Sequence, residues 1–485
     1  MPRARAFPLL FLAACTGGAP AEEQATQDVK VDHNLGEDAV ESVLPRSCFS
    51  NGRLHVVWED ERDGTPAIWF NSSADSGATW MTTDVRLDAG EAAAQVPDIA
   101  CAGDAVYVVW EDERDGELRY RNIYANVSTD GGRTWLEEDV RIDGDVDGEA
   151  MSLGPRVVAV GDAAYVTWFD NRNGAYDIYV QATQDKGHSW LEEATRVDTD
   201  TAGNAYSAWP RIVADADERV LVTWEDSRSG GSDIFSNLSL DGGVTFTDDD
   251  RRVDGGEEGG ESNSFLPSVA MAGDRAYVVW HDERNGEKRD VFLNVSEDGG
   301  ASWLDEPLRV DSDAAAVSES INPVVAAVGD RVHVVWQDDR SGGYDVYHRF
   351  SRDGGASWGG DETRMDSDAG GESQSYDPVL LVDGDTVMVG WEDRRHDKDD
   401  VGFNDLYYRY SQDGGKTWSF QDLRINSNAP GSAYAVDLSL ALAGDAFIAV
   451  WADGRFGTSD VFAANRTLGE ESVYVAPPEP EDGEE

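Results

Sequence analysis

The sequence has few cysteines, few cationic residues and almost no long apolar stretch. Three cysteines and seven histidines occur in 485 residues, and they form no zinc-binding pattern. Lysine and arginine total 39 against 96 acidic residues, a formal charge of −57, which excludes nucleic acid and anionic membrane as partners. Ser-His-Asp, Walker and dinucleotide motifs are absent from the sequence, and no stretch has helical periodicity. These absences leave an acidic, all-β protein.

The apolar run at residues 7–14 follows two arginines and is too short to span a bilayer. This pattern predicts an export signal. The run ends in Leu12-Ala13-Ala14-Cys15, which resembles a bacterial lipobox. The resemblance implies that Cys15 is lipidated, and that the protein is exported to the bacterial outer membrane or cell surface with only this lipid in the membrane. An ordinary signal peptide with a coincidental cysteine is the alternative.

The other two cysteines, Cys48 and Cys101, occupy nearly equivalent places in successive repeats. An exported protein permits a disulfide between them. Alignment of the repeats places them one position out of register, so their side chains are expected on opposite faces of their strands. This offset argues against a disulfide between the two cysteines, although the sequence leaves the question open.

A tryptophan that ends an apolar strand recurs through the chain at intervals of 52 to 60 residues, and a fixed period in this range indicates a repeat architecture. Each unit has four short strand patterns separated by turn residues, which is typical of a propeller blade. The eight tryptophans are Trp58, Trp110, Trp168, Trp224, Trp280, Trp336, Trp391 and Trp451. We therefore predict an all-β propeller of eight four-stranded blades.

The two ends of the chain predict how the ring closes. Lys30-Val31-Asp32 matches the fourth-strand pattern but precedes the first full unit, whereas the last unit lacks that strand. The N-terminal segment can therefore complete the last blade and remove an exposed sheet edge. We predict a signal peptide at 1–14, a tether at 15–27, one propeller domain at 28–472 and an acidic disordered tail at 473–485, in a monomeric protein.

The turn before the fourth strand carries the motif S-x-D-x-G-x-T/S-W, which resembles the Asp box of sialidases and other BNR-repeat proteins. Its aspartate accepts N–H groups of its own turn, and its glycine takes a positive φ. In that family the motif lies away from the active site, so we interpret it as structural. The seven aspartates are Asp75, Asp130, Asp185, Asp241, Asp298, Asp353 and Asp413.

A second turn, W-x-D-x-R, recurs in all eight units, and its arginines have two interpretations. In the first, each Asp and Arg pair within the turn. In the second, some arginines point into the central funnel and bind the carboxylate or sulfate of a substrate. The arginines are Arg62, Arg114, Arg172, Arg228, Arg284, Arg340, Arg395 and Arg455.

Loops between the blades supply the candidate catalytic residues, because variable loops usually carry function. Tyrosine beside glutamate on one rim resembles the sialidase mechanism, in which a glutamate-activated tyrosine attacks the sugar. The resemblance implies roles for Tyr206, Tyr434, Glu91, Glu149, Glu261 and Glu372. A purely structural loop role is the alternative for each.

An aspartate-rich segment suggests a cation site. Asp143, Asp145 and Asp147 imitate the start of an EF-hand loop, although Gly154 occupies the twelfth position where a glutamate is expected. Ca²⁺ is therefore the one candidate ion, and we predict no required cofactor. Two functions remain open: a surface propeller that recognises glycans, with glycoside hydrolase activity as one form of it, and a non-catalytic platform that binds an envelope or extracellular protein.

Overall fold

The structure is a computed structural model. It describes residues 28–33, 40–115, 120–144, 150–255, 260, 262–358, 362–398, 401–444, 446–470 and 472. The predicted signal peptide, the predicted tether with Cys15, and the predicted tail all lie outside these residues. The described chain forms eight four-stranded antiparallel sheets, and none of its segments is a helix long and apolar enough to cross a membrane.

The strands follow the chain blade by blade after a short N-terminal strand, β1 (Val29–Lys30). Blade 1 has β2 (Ser42–Ser50), β3 (Arg53–Asp60), β4 (Ala67–Ser73) and β5 (Val85–Arg86). Blade 2 has β6 (Ala94–Ala102), β7 (Ala105–Asp112), β8 (Asn122–Ser128) and β9 (Val140–Arg141). Blade 3 has β10 (Ser152–Val160), β11 (Ala163–Asp170), β12 (Asp177–Thr183) and β13 (Thr195–Arg196). Blade 4 has β14 (Ser207–Ala214), β15 (Val220–Asp226), β16 (Asp233–Ser239) and β17 (Arg251–Arg252).

The second half of the ring repeats the same order. Blade 5 has β18 (Ser264–Ala272), β19 (Arg275–Asp282), β20 (Asp290–Ser296) and β21 (Leu308–Arg309). Blade 6 has β22 (Ser320–Val328), β23 (Arg331–Asp338), β24 (Asp345–Ser351) and β25 (Thr363–Arg364). Blade 7 has β26 (Ser375–Asp383), β27 (Thr386–Asp393), β28 (Asp405–Ser411) and β29 (Leu423–Arg424). Blade 8 has β30 (Ala435–Ala443), β31 (Ala446–Asp453) and β32 (Asp460–Thr467), and β1 completes it.

The core lies between neighbouring blades, where apolar residues of the second and third strands of each sheet pack against the next sheet. All eight repeat tryptophans are fully buried there. Each lies opposite an aromatic residue on the third strand, as Trp110 lies opposite Tyr124 with ring centroids 6.4 Å apart. The fixed spacing of the tryptophans therefore reflects one packing contact repeated around the ring.

Ring closure follows the prediction. In β1, Val29 pairs with Ala463 and Lys30 with Phe462 of β32, in antiparallel register. The N–H of Val31 donates to the Val461 carbonyl at 2.8 Å, and the Val31 side chain is fully buried. The N-terminal segment is thus the outermost strand of blade 8, and the prediction of an eight-bladed propeller is confirmed.

Cys48 and Cys101 form a disulfide, with Cα atoms 5.9 Å apart. The argument against this pair was wrong because neighbouring blades pack with opposite faces together. Blade 1 presents Val57 to blade 2, whereas blade 2 presents Val106 and Val108 back to it. Equivalent strands must therefore offer side chains from opposite faces, and the one-position offset between the cysteines meets this requirement.

Candidate functional site

The two ends of the propeller carry different turns. In blade 1, Asp60 at the end of β3 pairs with both Ser42 and Ala67, the first residues of β2 and β4. The W-x-D-x-R turns and the loops between blades therefore share one end, which we call the loop face. Ser50 and Arg53 pair at the opposite end, where the Asp boxes also lie. We call that end the Asp-box face.

The W-x-D-x-R turns hold their arginines within the turn. In blade 4, Asp226 is fully buried and accepts hydrogen bonds from Arg228 Nε at 2.8 Å, Trp224 Nε1 at 2.9 Å and Ser207 Oγ at 3.0 Å. The Arg228 guanidinium also reaches Asp250 at 2.6 Å and lies 4.3 Å above the Phe235 ring. The turn is therefore a structural joint between the four strands of its sheet.

The same arrangement holds in the other seven blades, each arginine pairing with the aspartate two residues before it. The pairs are Arg62–Asp60, Arg114–Asp112, Arg172–Asp170, Arg284–Asp282, Arg340–Asp338, Arg395–Asp393 and Arg455–Asp453. Each of these guanidinium groups also stacks on an aromatic ring of the third strand. These arginines therefore make the contacts of the first of the two interpretations, and several of them also donate to an acid outside the turn, as Arg114 does to Asp139.

The candidate catalytic residues are spread around the ring. Glu91 and Glu372 are exposed on the loops before blades 2 and 7, and Glu149 and Glu261 lie outside the described residues. Tyr206 and Tyr434 precede β14 and β30, on opposite sides of an eight-bladed ring. No hydrogen bond joins either tyrosine hydroxyl to a carboxylate in the described chain.

The electrostatics of the two tyrosines do not favour a nucleophile. Burial and the negative charge of Glu225 raise the pKa of Tyr206. Burial also raises the pKa of Tyr434, whose ring covers the backbone of Gly454. A raised pKa disfavours the phenolate that would attack a sugar.

Of the predicted calcium ligands, only Asp143 lies in the described chain. It is buried and accepts hydrogen bonds from the Ile123 N–H at 3.0 Å and from Arg141 Nε at 2.6 Å. Asp145 and Asp147 lie outside the described residues, so calcium at this loop stays a prediction.

Every innermost strand has a bulge where it enters the central channel. The residue at this bulge, directly before the repeat proline or its counterpart Leu438, has a φ between 45° and 62° in all eight blades. The bulge residues are Leu44, Val96, Gly154, Trp209, Leu266, Asn322, Asp377 and Asp437. Such backbone is costly for a side chain other than glycine, so a specific contact must hold it.

A side chain of the preceding blade supplies that contact in six blades. It comes from the residue after the repeat tryptophan, as when Glu392 accepts the Asp437 N–H at 2.9 Å and Glu111 accepts the Gly154 N–H at 2.8 Å. Burial, followed by the charge of Asp377, raises the pKa of Glu392 to about 8. These acids are structural acceptors that the sequence reasoning did not find.

Blade 3 supplies no such acceptor to the bulge of blade 4 and carries a cluster of aromatic rings instead. Phe169 stands where six other blades have an acceptor, and it contacts Tyr176 at 5.1 Å and Trp209 at 5.4 Å between ring centroids. Tyr176 in turn contacts Tyr206 at 5.4 Å. Tyr206 and Trp209 are both 45% exposed. These four residues, which we call the aromatic cluster, form an open apolar surface on the loop face.

Three arginines on the innermost strands, the channel arginines, lie beside this cluster. Arg46, Arg156 and Arg211 each follow a repeat proline and each donates to the carbonyl of that proline, at 3.0, 3.1 and 3.2 Å. None forms a salt bridge with a described carboxylate. Burial, followed by the positive charge of Arg156, lowers the pKa of Arg211 to about 10, so Arg211 remains charged at neutral pH.

A cavity of about 580 Å³ lies at the centre of the ring, and charges of both signs line it. Arg46 of blade 1 and Arg211 of blade 4 contribute to its wall, as do Asp377 of blade 7 and Asp437 of blade 8. Guanidinium groups can donate to an anion, and the carboxylates can accept from hydroxyl groups. In the sequence, no other repeat has Phe, Tyr or Trp at the position of Phe169 or at the position of Trp209.

The eight four-stranded blades make this chain a β-propeller, and one of its Asp-box turns matches a known repeat family. The BNR/Asp-box repeat family matches residues 409–420. That segment contains Asp413, which accepts the N–H and hydroxyl of Thr417 at 2.9 and 2.8 Å. These hydrogen bonds lower the pKa of Asp413 to about 2.

Relatives of the chain are remote. A cell surface glycoprotein of Haloarcula japonica is 23% identical over 361 residues, which cover 67% of this chain and 41% of that protein. The chain thus spans about two fifths of that relative. A PL25 ulvan lyase structure has a TM-score of 0.48 and 11% identity over 76% of this chain and 93% of its own. A Trypanosoma rangeli sialidase mutant has a TM-score of 0.41 and 10% identity over 92% and 58%.

Proposed function

We propose that this protein binds an acidic glycan at the mouth of its central channel, on the loop face. One observation carries the proposal: Trp209 and Arg211 lie on the same bulged strand, where Trp209 offers an exposed ring and Arg211 a guanidinium whose hydrogen bond is to the Pro210 carbonyl and not to a described carboxylate. Aromatic rings and charged donors placed together at a concave site suit a ligand with both apolar C–H faces and an anionic group.

The rest of the channel fits the same ligand class. Sugar hydroxyl groups need acceptors as well as donors, and Asp377 and Asp437 supply carboxylates in the same cavity as Arg46 and Arg211. The net charge of −57 repels anionic polymers at long range. Recognition of an acidic sugar therefore depends on the local channel arginines, and it should tolerate high salt, which screens the repulsion.

We also propose that the protein acts outside the cell, held by a lipid on Cys15. The predicted export signal and lipobox support this, and so does the surface location in the name of the Haloarcula relative. Metabolic labelling with a fatty-acid analogue tests it. Wild-type protein should incorporate label, Cys15→Ser should not, and an unlabelled wild type would contradict the proposal.

Glycan binding is tested by isothermal titration of the purified protein with sulfated, uronate-containing, sialylated and neutral oligosaccharides. We expect Trp209→Ala to weaken binding of the best acidic ligand roughly tenfold or more, because stacked area is lost. Arg211→Gln should weaken it by about 1.5–3 kcal/mol, the range for a hydrogen bond to a charged group. The controls are Phe420→Ala and Arg352→Gln, an exposed ring and an exposed guanidinium near the Asp-box face.

The outcomes separate the candidate functions. Equal losses for the control variants, or no binding of any acidic glycan by folded protein, would contradict the proposal. Turnover of fluorogenic glycosides that disappears in Glu91→Gln, Glu372→Gln or Tyr206→Phe would instead show hydrolysis, as the sialidase resemblance implies.

A protein-binding platform is the second candidate. Val317, Val401 and Phe456 are 68, 59 and 70% exposed on loops of the loop face. Exposed apolar side chains around one face are typical of interaction surfaces. Capture of one envelope protein by wild type, and its loss in Phe456→Ser with glycan binding absent, would favour this function.

A further inference from the structure

The outermost strand of every blade has a cationic residue at its second position, and blade 8 differs from the other seven. In blade 8 this strand is β1, and the residue is Lys30. An arginine guanidinium stays protonated in proteins, whereas a lysine amine can act as a nucleophile. Blade 8 is therefore the one blade in which this residue can form a covalent bond. The other seven residues are Arg86, Arg141, Arg196, Arg252, Arg309, Arg364 and Arg424.

Lys30 lies against a buried carboxylate from the other end of the chain. Its Nζ is 2.7 Å from Oδ1 of Asp460, the first residue of β32, and the Asp460 side chain is 4% exposed. A nucleophile held against its target in one molecule can reach an effective concentration of about 10⁵–10⁸ M. Such a concentration favours an amide between the two side chains over the hydrolysis of that amide.

A second buried acid stands beside this pair. Asp32 is 2% exposed, and its Oδ2 lies 3.8 Å from Lys30 Nζ. It accepts hydrogen bonds from the Val461 N–H at 2.9 Å and from the Ser42 hydroxyl at 3.1 Å. Burial raises the pKa of Asp32 to about 7, so this acid holds a proton for much of the time at neutral pH. A proton donor is therefore in place for a reaction between the other two side chains.

We propose that Lys30 and Asp460 form an isopeptide bond that joins β1 covalently to β32. A proton first passes from the Lys30 ammonium to the Asp460 carboxylate, and the Nζ lone pair then attacks Cγ of Asp460 to form the C–N bond. Asp32 donates its proton to the departing hydroxyl as the C–O bond breaks, and it then takes a proton from the nitrogen. One ammonium and one carboxylate thus yield one amide and one water, and the balance requires no other reactant.

Lys288 provides a comparison within the same protein. Its Nζ lies 2.7 Å from Asp339 and 3.8 Å from Glu319, the same two distances as in blade 8. However, the Asp339 side chain is 28% exposed, and Glu319 also pairs with Arg289. Water therefore reaches this carboxylate, and an arginine already engages the second acid. We expect no amide at Lys288.

The test is a peptide map of full-length protein that has been denatured and digested with trypsin, which cuts after a lysine only while the lysine amine is free. Mass spectrometry shows whether a branched peptide joins the segment around Lys30 to residues 456–466, with a mass lower by one water than the sum of its two parts. The key variant is Lys30→Arg, which reproduces the residue of the other seven blades and should therefore fold. Asp32→Asn removes the proton donor and reproduces Asn426 of blade 7, which accepts the equivalent backbone N–H.

We expect the branched peptide in wild type and only linear 456–466 in Lys30→Arg. Asp32→Asn should form the branched peptide roughly tenfold more slowly or less, because general acid–base catalysis is lost. The thermal midpoint of wild type should exceed that of Lys30→Arg by several degrees, because a bond between the two ends restricts the unfolded chain. The peptides around Lys288 should stay linear in all three proteins.

Only linear 456–466 in wild type would overturn the proposal and leave an ion pair as the whole of the contact. A branched peptide at Lys288 in the same sample would also overturn it, because condensation would then not depend on the buried site. Equal rates in wild type and Asp32→Asn would overturn the role given to Asp32.

Discussion

Turns at both ends of the propeller contain an aspartate, but the aspartates at the two ends differ in how deeply they are buried. On the Asp-box face, Asp241 is exposed and accepts hydrogen bonds from Thr245 of its own turn at 2.9 and 2.7 Å. On the loop face of the same blade, Asp226 is fully buried and accepts hydrogen bonds from Ser207 of β14, Trp224 of β15 and Arg228 of the turn. The first turn is self-contained, whereas the second supports its surroundings. Loops that vary between such rigid joints can acquire a binding site without destabilising the ring.

Removal of the buried aspartate should break the loop face. Asp226→Ala leaves the Arg228 charge, Trp224 Nε1 and Ser207 Oγ without their acceptor in a desolvated place. We expect the free energy of unfolding to fall by about 3–5 kcal/mol, the range for one partner lost from a buried ion pair. Urea unfolding followed by tryptophan fluorescence measures it, and a loss below 1 kcal/mol would contradict the structural role given to this turn.

Acidic pH should destabilise the fold near the Asp-box face, because two buried histidines lie beneath that face. His333 and His348 are buried in blade 6, with His333 Nδ1 and His348 Nε2 3.1 Å apart, and Gly415 of the next Asp box packs on them. Burial, followed by the charge of Arg331, lowers the pKa of His333 to about 4. Below pH 6.5 the unfolded chain takes up protons that the folded chain does not, so stability falls between pH 6.5 and pH 4.

The expected slope is about 1.4 kcal/mol per pH unit for each such histidine, or roughly 3 kcal/mol by pH 4.5 for His333 alone. Blade 5 has Tyr277 and Leu293 at the positions that His333 and His348 occupy in blade 6. The variant His333→Tyr with His348→Leu should therefore keep its stability at pH 7 and lose this part of the slope. Denaturant midpoints at pH 7, 6, 5 and 4.5 compare the two proteins. Parallel pH profiles would show that the histidines do not contribute.

The exposed aspartate should matter much less. Asp241→Ala removes hydrogen bonds that water can partly replace, and we expect a loss of about 1 kcal/mol. The comparison is made in the same blade as Asp226→Ala, under the same denaturant conditions. If Asp226→Ala and Asp241→Ala lowered the free energy of unfolding equally, the inferred difference between the loop face and the Asp-box face would be contradicted.

The smallest expected change in stability is at the glycan site. Trp209→Ala removes a half-exposed ring from a strained bulge, so the unfolding free energy should change by about 0.5 kcal/mol or less. Binding is the sensitive readout there. A large loss of stability would instead identify the aromatic cluster as part of the core.

The repeat made most of the fold predictable, and the departures from it determined what was missed. The tryptophan spacing predicts the number of blades, because one packing contact recurs in every unit. Lys30-Val31-Asp32 predicts how the ring closes. The prediction about the disulfide was wrong because the alternation of side chains between the two faces of a strand was considered within one sheet. Two neighbouring blades contact each other through opposite faces, and this was not considered. The glycan site depends on Phe169 and Trp209, whose neighbours come from different blades, and a positive φ at the bulge cannot be derived from residue type.

The pairing of β1 with β32 also determines the order in which the ring can fold. β1 must wait for β32, its partner strand, which lies some 430 positions later in the chain. Seven blades can assemble in the order of synthesis, yet the eighth cannot exist until both ends are present. Maturation therefore has a single final event, and any chain cut short near its C-terminus is left with an unsealed ring that a quality-control protease can recognise.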